Sequence, residues 1–160
     1  FEIIVPLYSR LMAKGAGANV KGIFGSTNWH WSLQDEGSKA FVKSFGTKYG
    51  FPPSQAAHTV YCQTLLYADA CNRAGTFNPC GVGEALEGFE FDGLGNGKTL
   101  YRADDHQCFK DVLVVKGKEN PTSEFDLLEI VEVTPMEQVQ YSPDHPMFAG
   151  GDLGACNPGA

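Results

Sequence analysis

The chain reads as a mixed α/β fold whose sheet is incomplete. Three observations predict this. Residues 38–50 and 51–76 carry apolar stripes at helical spacing, each closed by a glycine. Residues 111–117 (DVLVVKG) and 125–133 (FDLLEIVEV) are strand runs joined by a polar turn. Only two weak strands precede the helices, whereas a parallel α/β sheet needs several strand–helix units in succession. The expected architecture is therefore the last portion of something larger, ending in an antiparallel strand pair and an irregular tail.

Each element has a local cause. Ile3-Ile4-Val5 is a short β run that Pro6 stops. Ser9 precedes a weak helix, RLMAKGAG, which dissolves at Gly15 and Gly17. Val20, Ile23 and Phe24 suggest a second strand leading into the aromatic loop Asn28-Trp29-His30-Trp31, and residues 32–38 read as a polar connection. From Ser38, Phe41, Phe45 and Tyr49 recur at four-residue intervals, and Gly50 supplies the left-handed stop. Phe51-Pro52-Pro53 cannot continue a helix, and Ser54 or Pro53 opens the next one. Ala57, Tyr61, Leu65 and Ala68 give that helix a broad buried face through Asn72, with Gly75 as terminator. Pro79 starts a third, shorter helix that ends at Gly88. FEFDGLGNGKTLYR is a turn, laced by Gly93, Gly95 and Gly97, between two short extended pieces. Val112 to Val115 is apolar on both faces, as an interior strand requires, and FDLLEIVEV is its antiparallel neighbour. The composition changes after Pro135, so residues 136–160 read as a surface tail to which Tyr141, Phe148 and Cys156 offer anchors.

Composition removes several classes of function. With 160 residues and 42% hydrophobic content, one sizeable core can form. Nineteen acidic against 12 basic residues give a net charge of −7, without a lysine or arginine cluster, so no nucleic acid partner is expected. The apolar runs fall far short of the ~20 residues that a membrane-spanning helix needs. Phe1 is not preceded by a charged and apolar leader, so any targeting peptide is expected to be removed or to lie upstream.

The five cysteines are Cys62, Cys71, Cys80, Cys108 and Cys156. None forms a CxxC pair, and His30, His58, His106 and His145 do not fall at zinc-finger intervals, so no metal and no cofactor are expected. Cys62 and Cys71 are nine positions apart on one helix and lie on opposite faces, which forbids their pairing. Cys71 and Cys80 are joined by a short turn and come within disulfide reach; Cys108 with Cys156 is the other pairing considered. Cys62 reads as a small buried hydrophobe.

Candidate binding residues follow from position. Leu7, Tyr8 and Ser9 succeed the first strand at its carboxyl end, where open α/β sheets place ligands. Trp29 offers a stacking wall and His30 a hydrogen-bonding group, against the plainer reading of a packing motif. Ala56, Ala57 and His58 open the long helix, whose free N–H groups and dipole favour a carboxylate. Asp104-Asp105-His106-Gln107 invites a catalytic reading, and Asp92 to Gly97 mimics a calcium loop without its alternate acidic ligands. Cysteine, histidine and asparagine are all present, yet none sits in a nucleophile-elbow or papain-like context, so the chain is not expected to be an enzyme.

The succession of SKAFVKSFGTKYG, FPPSQAAHTVYCQTLLYADACNRAGT and FEFDGLGNGKTLYRADDHQ resembles the distal half of the second lobe in the periplasmic solute-binding proteins of branched-chain amino acid and amide ABC transporters. The resemblance covers residues 1–135. It implies a two-lobed, type I periplasmic-binding-protein-like fold, of which residues 1–135 form part of the C-terminal ligand-binding lobe and 136–160 an extended tail. A missing N-terminal lobe and an open hydrophobic flank go with it. It further implies an extracytoplasmic, periplasmic binding component of an importer, working with membrane permease subunits, that captures an amino acid, amide or small aromatic carboxylate by cleft closure. The alternative it leaves is the ligand-sensing domain of a receptor or amide-responsive regulator. By the same resemblance, the residues after the first strand face the cleft, the start of the long helix touches the ligand's side chain, and the Asp-His-Gln segment serves local hydrogen bonding. Leu7 or Tyr8 stands where the family commonly has an acidic residue, which puts recognition of a plain amino acid in doubt.

Overall fold

The computed structural model describes residues 2–146 and Cys156. Strand β1 (Ile4–Val5) leads into helix α1 (Arg10–Ala16), a 3-10 turn (Gly17–Val20) and strand β2 (Phe24–Thr27). Helices α2 (Glu36–Tyr49), α3 (Gln55–Ala74) and α4 (Pro79–Leu86) follow, then strands β3 (Glu90–Phe91), β4 (Thr99–Tyr101), β5 (Cys108–Phe109), β6 (Val112–Gly117) and β7 (Leu128–Thr134). A short helix, α5 (Met136–Val139), stands at the start of what reads in sequence as an irregular tail. The tail's expected anchor Phe148 lies outside the described residues.

The helices start and stop where side chains satisfy their free backbone groups. Asp35 accepts from Ser38 N to cap α2, two residues earlier than the apolar stripe suggests, and Gly50 closes it at φ 77°. Ser54 caps α3 through Ala57 N, and Gly75 terminates it at φ 64°. Asn78 caps α4, with Pro79 at its first turn. Phe41 packs between Trp29 and Tyr61, and Ala70 and Cys71 of α3 meet Val82 of α4.

Two sheets form. In the larger, the order is β1-β2-β6-β7, with β1 and β2 parallel and the other pairs antiparallel. Strand β6 is interior, as its two-sided apolar sequence requires. Its inward residues Leu113 and Val115 join Tyr8, Ala13, Val20 and Leu128 in the main core. The smaller sheet, β3-β4-β5, is antiparallel, and its last strand carries no sequence signal.

The outer face of the larger sheet is open. Ile4 is 75% exposed and Phe24 41%, and a groove of about 910 Å³ runs past them over Ser26, Val114 and Lys116. This is an apolar sheet face without a covering layer among the described residues.

Candidate ligand-binding site

The parallel register of β1 and β2 (Ile4 opposite Phe24, Val5 opposite Gly25) brings the two carboxyl ends to the same edge of the sheet. Pro6 ends β1, and Leu7 then takes a left-handed conformation at φ 57°. A leucine in that region is strained, because its β-carbon crowds the backbone. Leu7 is nonetheless 68% exposed, so no core contact compensates for the strain. The twist reverses the chain: Tyr8 N donates to Ser26 O at 2.7 Å, and Ser9 Oγ accepts from Met12 N to cap α1. Tyr8 runs inward across Gly25, where any β-carbon would collide with Tyr8 Cβ and the Val5 carbonyl oxygen. Its ring is buried, and its hydroxyl finds no hydrogen-bond partner among the described residues. Burial raises the pKa of that hydroxyl. Arg10, also buried, lies over the rings of Phe51 and Phe125 at 5.8 and 5.3 Å, and desolvation lowers its pKa.

Trp29 and His58 come together from distant segments. Their rings stack at 4.3 Å with an interplanar angle of 4°, Trp29 Nε1 donates to Ser38 Oγ at 2.9 Å, and Phe41 meets both rings edge-on. His58 Nε2 donates to Leu94 O at 2.6 Å. Both side chains are fully buried, so Trp29 is a prop beneath the start of α3 and His58 faces the interior, while Ala56 beside them is exposed. Burial lowers the His58 pKa to about 4. His30 is buried as well, with Nδ1 on Ser32 Oγ at 2.8 Å and Nε2 without a described partner; desolvation, and secondarily Lys118, lower its pKa to about 4. The structure thus gathers Trp29 and His58 in one cluster and holds Leu7, Tyr8 and Ser9 in another.

The sequence profile of the periplasmic binding protein family matches residues 1–122. The chain belongs to that family. Solved structures agree on the fold. The amino acid ABC transporter substrate-binding protein of Pseudomonas fluorescens Pf-5 superposes with TM-score 0.75 at 21% identity, over 84% of this chain and 37% of that one. The branched-chain amino acid ABC transporter protein of Rhodopseudomonas palustris CGA009 gives 0.72 at 20% identity, over 86% and 37%. A solute-binding protein of Rhodopseudomonas palustris BisB5, in complex with 3,4-dihydroxybenzoic acid, gives 0.71 at 14% identity, over 84% and 37%. The chain spans a little over a third of the length of these structures. No curated protein shows a significant match.

Within this periplasmic binding protein chain the expected Cys71–Cys80 bridge is corrected. Cys80 pairs with Cys156, Cα atoms 5.5 Å apart, and Cys71 remains a free thiol. The reason is orientation: Cys71 turns into the apolar contact with Ala70 and Val82, while Cys80 takes a partner 76 residues away. Cys108 is free too, so the alternative pairing with Cys156 also fails. Cys62 Sγ lies 3.3 Å from His58 Nε2, yet burial raises the thiol pKa and lowers the imidazole's, which keeps both groups neutral and gives no activated thiolate. In the Asp-Asp-His-Gln segment, Asp105 is engaged by Arg102 and by Gln107 N, and His106 by Glu87.

Asn96 is the residue that sequence reasoning missed. It sits left-handed at φ 59° in the glycine turn, is buried, and donates from Nδ2 to Asn28 O at 2.7 Å and Asp111 O at 2.8 Å. Its N–H points at Asp35, whose carboxylate is pushed up by burial but held below the usual range by Ser38 and Asn96. One asparagine thereby ties the aromatic loop, the last long strand pair and the start of α2. The only sequence signal is a Gly-Asn-Gly triplet, and asparagine tolerates the left-handed region.

Proposed function

We propose that this chain is part of the ligand-gripping lobe of the extracytoplasmic, periplasmic binding component of an ABC importer. The solute is an amino acid, amide or small aromatic carboxylate, and the lobe grips it against a missing N-terminal lobe. The observation that carries this reading is Leu7, an exposed, left-handed leucine at the common carboxyl end of the parallel strands. Strain that buries nothing is retained where the side chain meets something outside the lobe. Tyr8 and Ser9 support it from below, and the exposed start of α3 at Ala56 offers a second contact.

Apolar Leu7 favours a ligand with an apolar or aromatic body over a free ammonium. The dihydroxybenzoate complex among the similar structures, and a benzoate complex of another Rhodopseudomonas palustris protein, are consistent with that chemistry. The disulfide fits an oxidising compartment. No described helix is long and apolar enough to cross a membrane. Binding to one lobe and then the other stabilises the closed state by the difference in affinity between open and closed forms, and the closed form is what permease subunits would recognise.

Calorimetry of the full-length protein against amino acids, amides and aromatic carboxylates tests the reading. Leu7→Asp should weaken an aromatic carboxylate by about tenfold or more, through a like charge placed at the ligand. Unchanged affinity for every bound solute in Leu7→Asp would remove the loop from the site. The isolated 160-residue chain should bind the same solutes far more weakly, since the opposing lobe supplies the rest of the contacts.

A further inference from the structure

We propose that the cavity between α3 and the small sheet is a second binding site, built for a small organic anion of the carboxylate type. The cavity is about 300 Å³ and shares no lining residue with the Leu7–Ser9 loop. Its polar wall is formed by Lys110, Asn28, Gln63 and Thr99, its apolar wall by Leu66 and Phe109 among others, with Cys62 and Cys108 between them.

The charge balance selects an anion. No aspartate or glutamate lines the cavity, although the whole chain carries −7. Lys110 is the one cationic residue among the lining residues, and among the described residues it forms no ion pair; its ammonium donates to Gly95 O at 2.8 Å. The nearest carboxylates are committed elsewhere: Asp111 accepts from Met136 N, and Asp35 caps α2 and receives Asn96 N. A partly buried ammonium paired only with a neutral carbonyl is poorly compensated. Desolvation accordingly lowers the Lys110 pKa, while burial raises the pKa of both Cys62 and Cys108, so neither thiol opposes an anion. His58 at the cavity's end is held neutral by the same cause.

The remaining wall narrows the ligand. Asn28 Oδ1 is buried out of an occupant's reach, so the neutral polar groups offered to a ligand are those of Gln63 and Thr99. Gln63 is held in place by Tyr101, whose hydroxyl donates to Gln63 Oε1 at 2.6 Å. A volume near 300 Å³ is at the small end of ligand pockets. A short hydroxy acid has the required parts: a carboxylate for Lys110, a hydroxyl for Gln63 or Thr99 and a small apolar body for Leu66 and Phe109.

L-lactate is a suitable probe, with propionate lacking the hydroxyl and propanamide lacking the charge. In the full-length protein, iodoacetamide labelling of Cys62, Cys108 and Cys71 is followed by peptide mass spectrometry. Lactate should slow labelling of Cys108 and Cys62 several-fold and leave Cys71 unaffected; propionate should protect less, and propanamide not at all. Lys110→Met should weaken lactate by about tenfold or more, the expected loss for a charge-assisted contact. Protection absent at about 10 mM lactate, equal protection by propanamide, or protection that survives in Lys110→Met would each overturn the proposal. Should that variant not fold, the contrast between lactate and propanamide on the unaltered protein decides alone. The readout sits at the cavity's own thiols, so it is independent of whether the Leu7 loop binds a transported solute.

Discussion

Tyr8 shows what one buried hydroxyl can cost a fold. Its ring belongs to the main core, but its hydroxyl is buried without a described partner, a state that costs about 1–3 kcal/mol relative to a satisfied group. Tyr8→Phe should therefore leave stability unchanged or raise it by about 1 kcal/mol in urea unfolding. A destabilised Tyr8→Phe would mean that the hydroxyl is bonded in the fold. His30 and His58 act at the same scale through pH. Each has its folded pKa lowered to about 4, below the ordinary value of 6.5, so each is neutral in the fold and gains a proton more readily when unfolded. Their contribution is complete above the unfolded pKa and is lost as pH falls from about 6.5 towards about 4, by up to roughly 3 kcal/mol per ring. A stability curve that stays level across that window, or one that His30→Gln with His58→Gln does not flatten, contradicts the assignment. The positions of Trp29 and His58 were readable as a loop and a helix start, but their burial was not. Their stacking joins segments 29 residues apart in the chain, and no local pattern records it.

Among the elements, length decided what could be read. Helices α2 and α3 announce themselves by periodicity and by Gly50 and Gly75, and strands β6 and β7 by apolar runs about a polar turn. The buried face of α3 is not the expected one: His58, Cys62, Leu66 and Ala70 are buried, whereas Tyr61, Leu65 and Ala68 of the expected stripe are exposed. Strand β5, with two residues, and helix α5, with four, are too short to show any period. Asn96 escaped for a related reason, since its partners lie 15, 61 and 68 positions away. It nevertheless fixes the glycine turn against α2, helped by Gly37, where a β-carbon would collide with Gly93 O. Asn96→Ala removes two donors to buried carbonyls and places alanine in the left-handed region, so a loss of about 2–4 kcal/mol is expected in urea unfolding. Asn96→Gly, which keeps the backbone relaxed, should lose less. Equal losses in the two variants would assign the effect wholly to the side-chain hydrogen bonds and none to the backbone.

For the molecule as a whole, the exposed sheet face and the tail tether bear on stability in opposite directions. The face around Ile4 and Phe24 leaves apolar area uncovered that a layer packed on it would bury, so this face adds no core. The Cys80–Cys156 bond compensates by closing a loop across 76 positions, which holds Cys156 against α4. In the loop-entropy account such a closure contributes about 4 kcal/mol by restricting the unfolded chain. Cys80→Ser, Cys156→Ser and the double variant should then all lower the urea midpoint by the same amount, because either change opens the same loop. A reductant should bring the unaltered protein down to their level and leave the variants where they are. Unequal losses would point instead to packing of the individual sulfur atoms, and a midpoint indifferent to reductant would show that the tether does not limit the unfolded state. The bond joins α4 to a residue beyond the last strand, and the sequence could offer only the nearest cysteine, Cys71, as its partner. That preference for proximity is reasonable for backbone reach, but it ignores that Cys71 had already been claimed by the apolar seam with Ala70 and Val82.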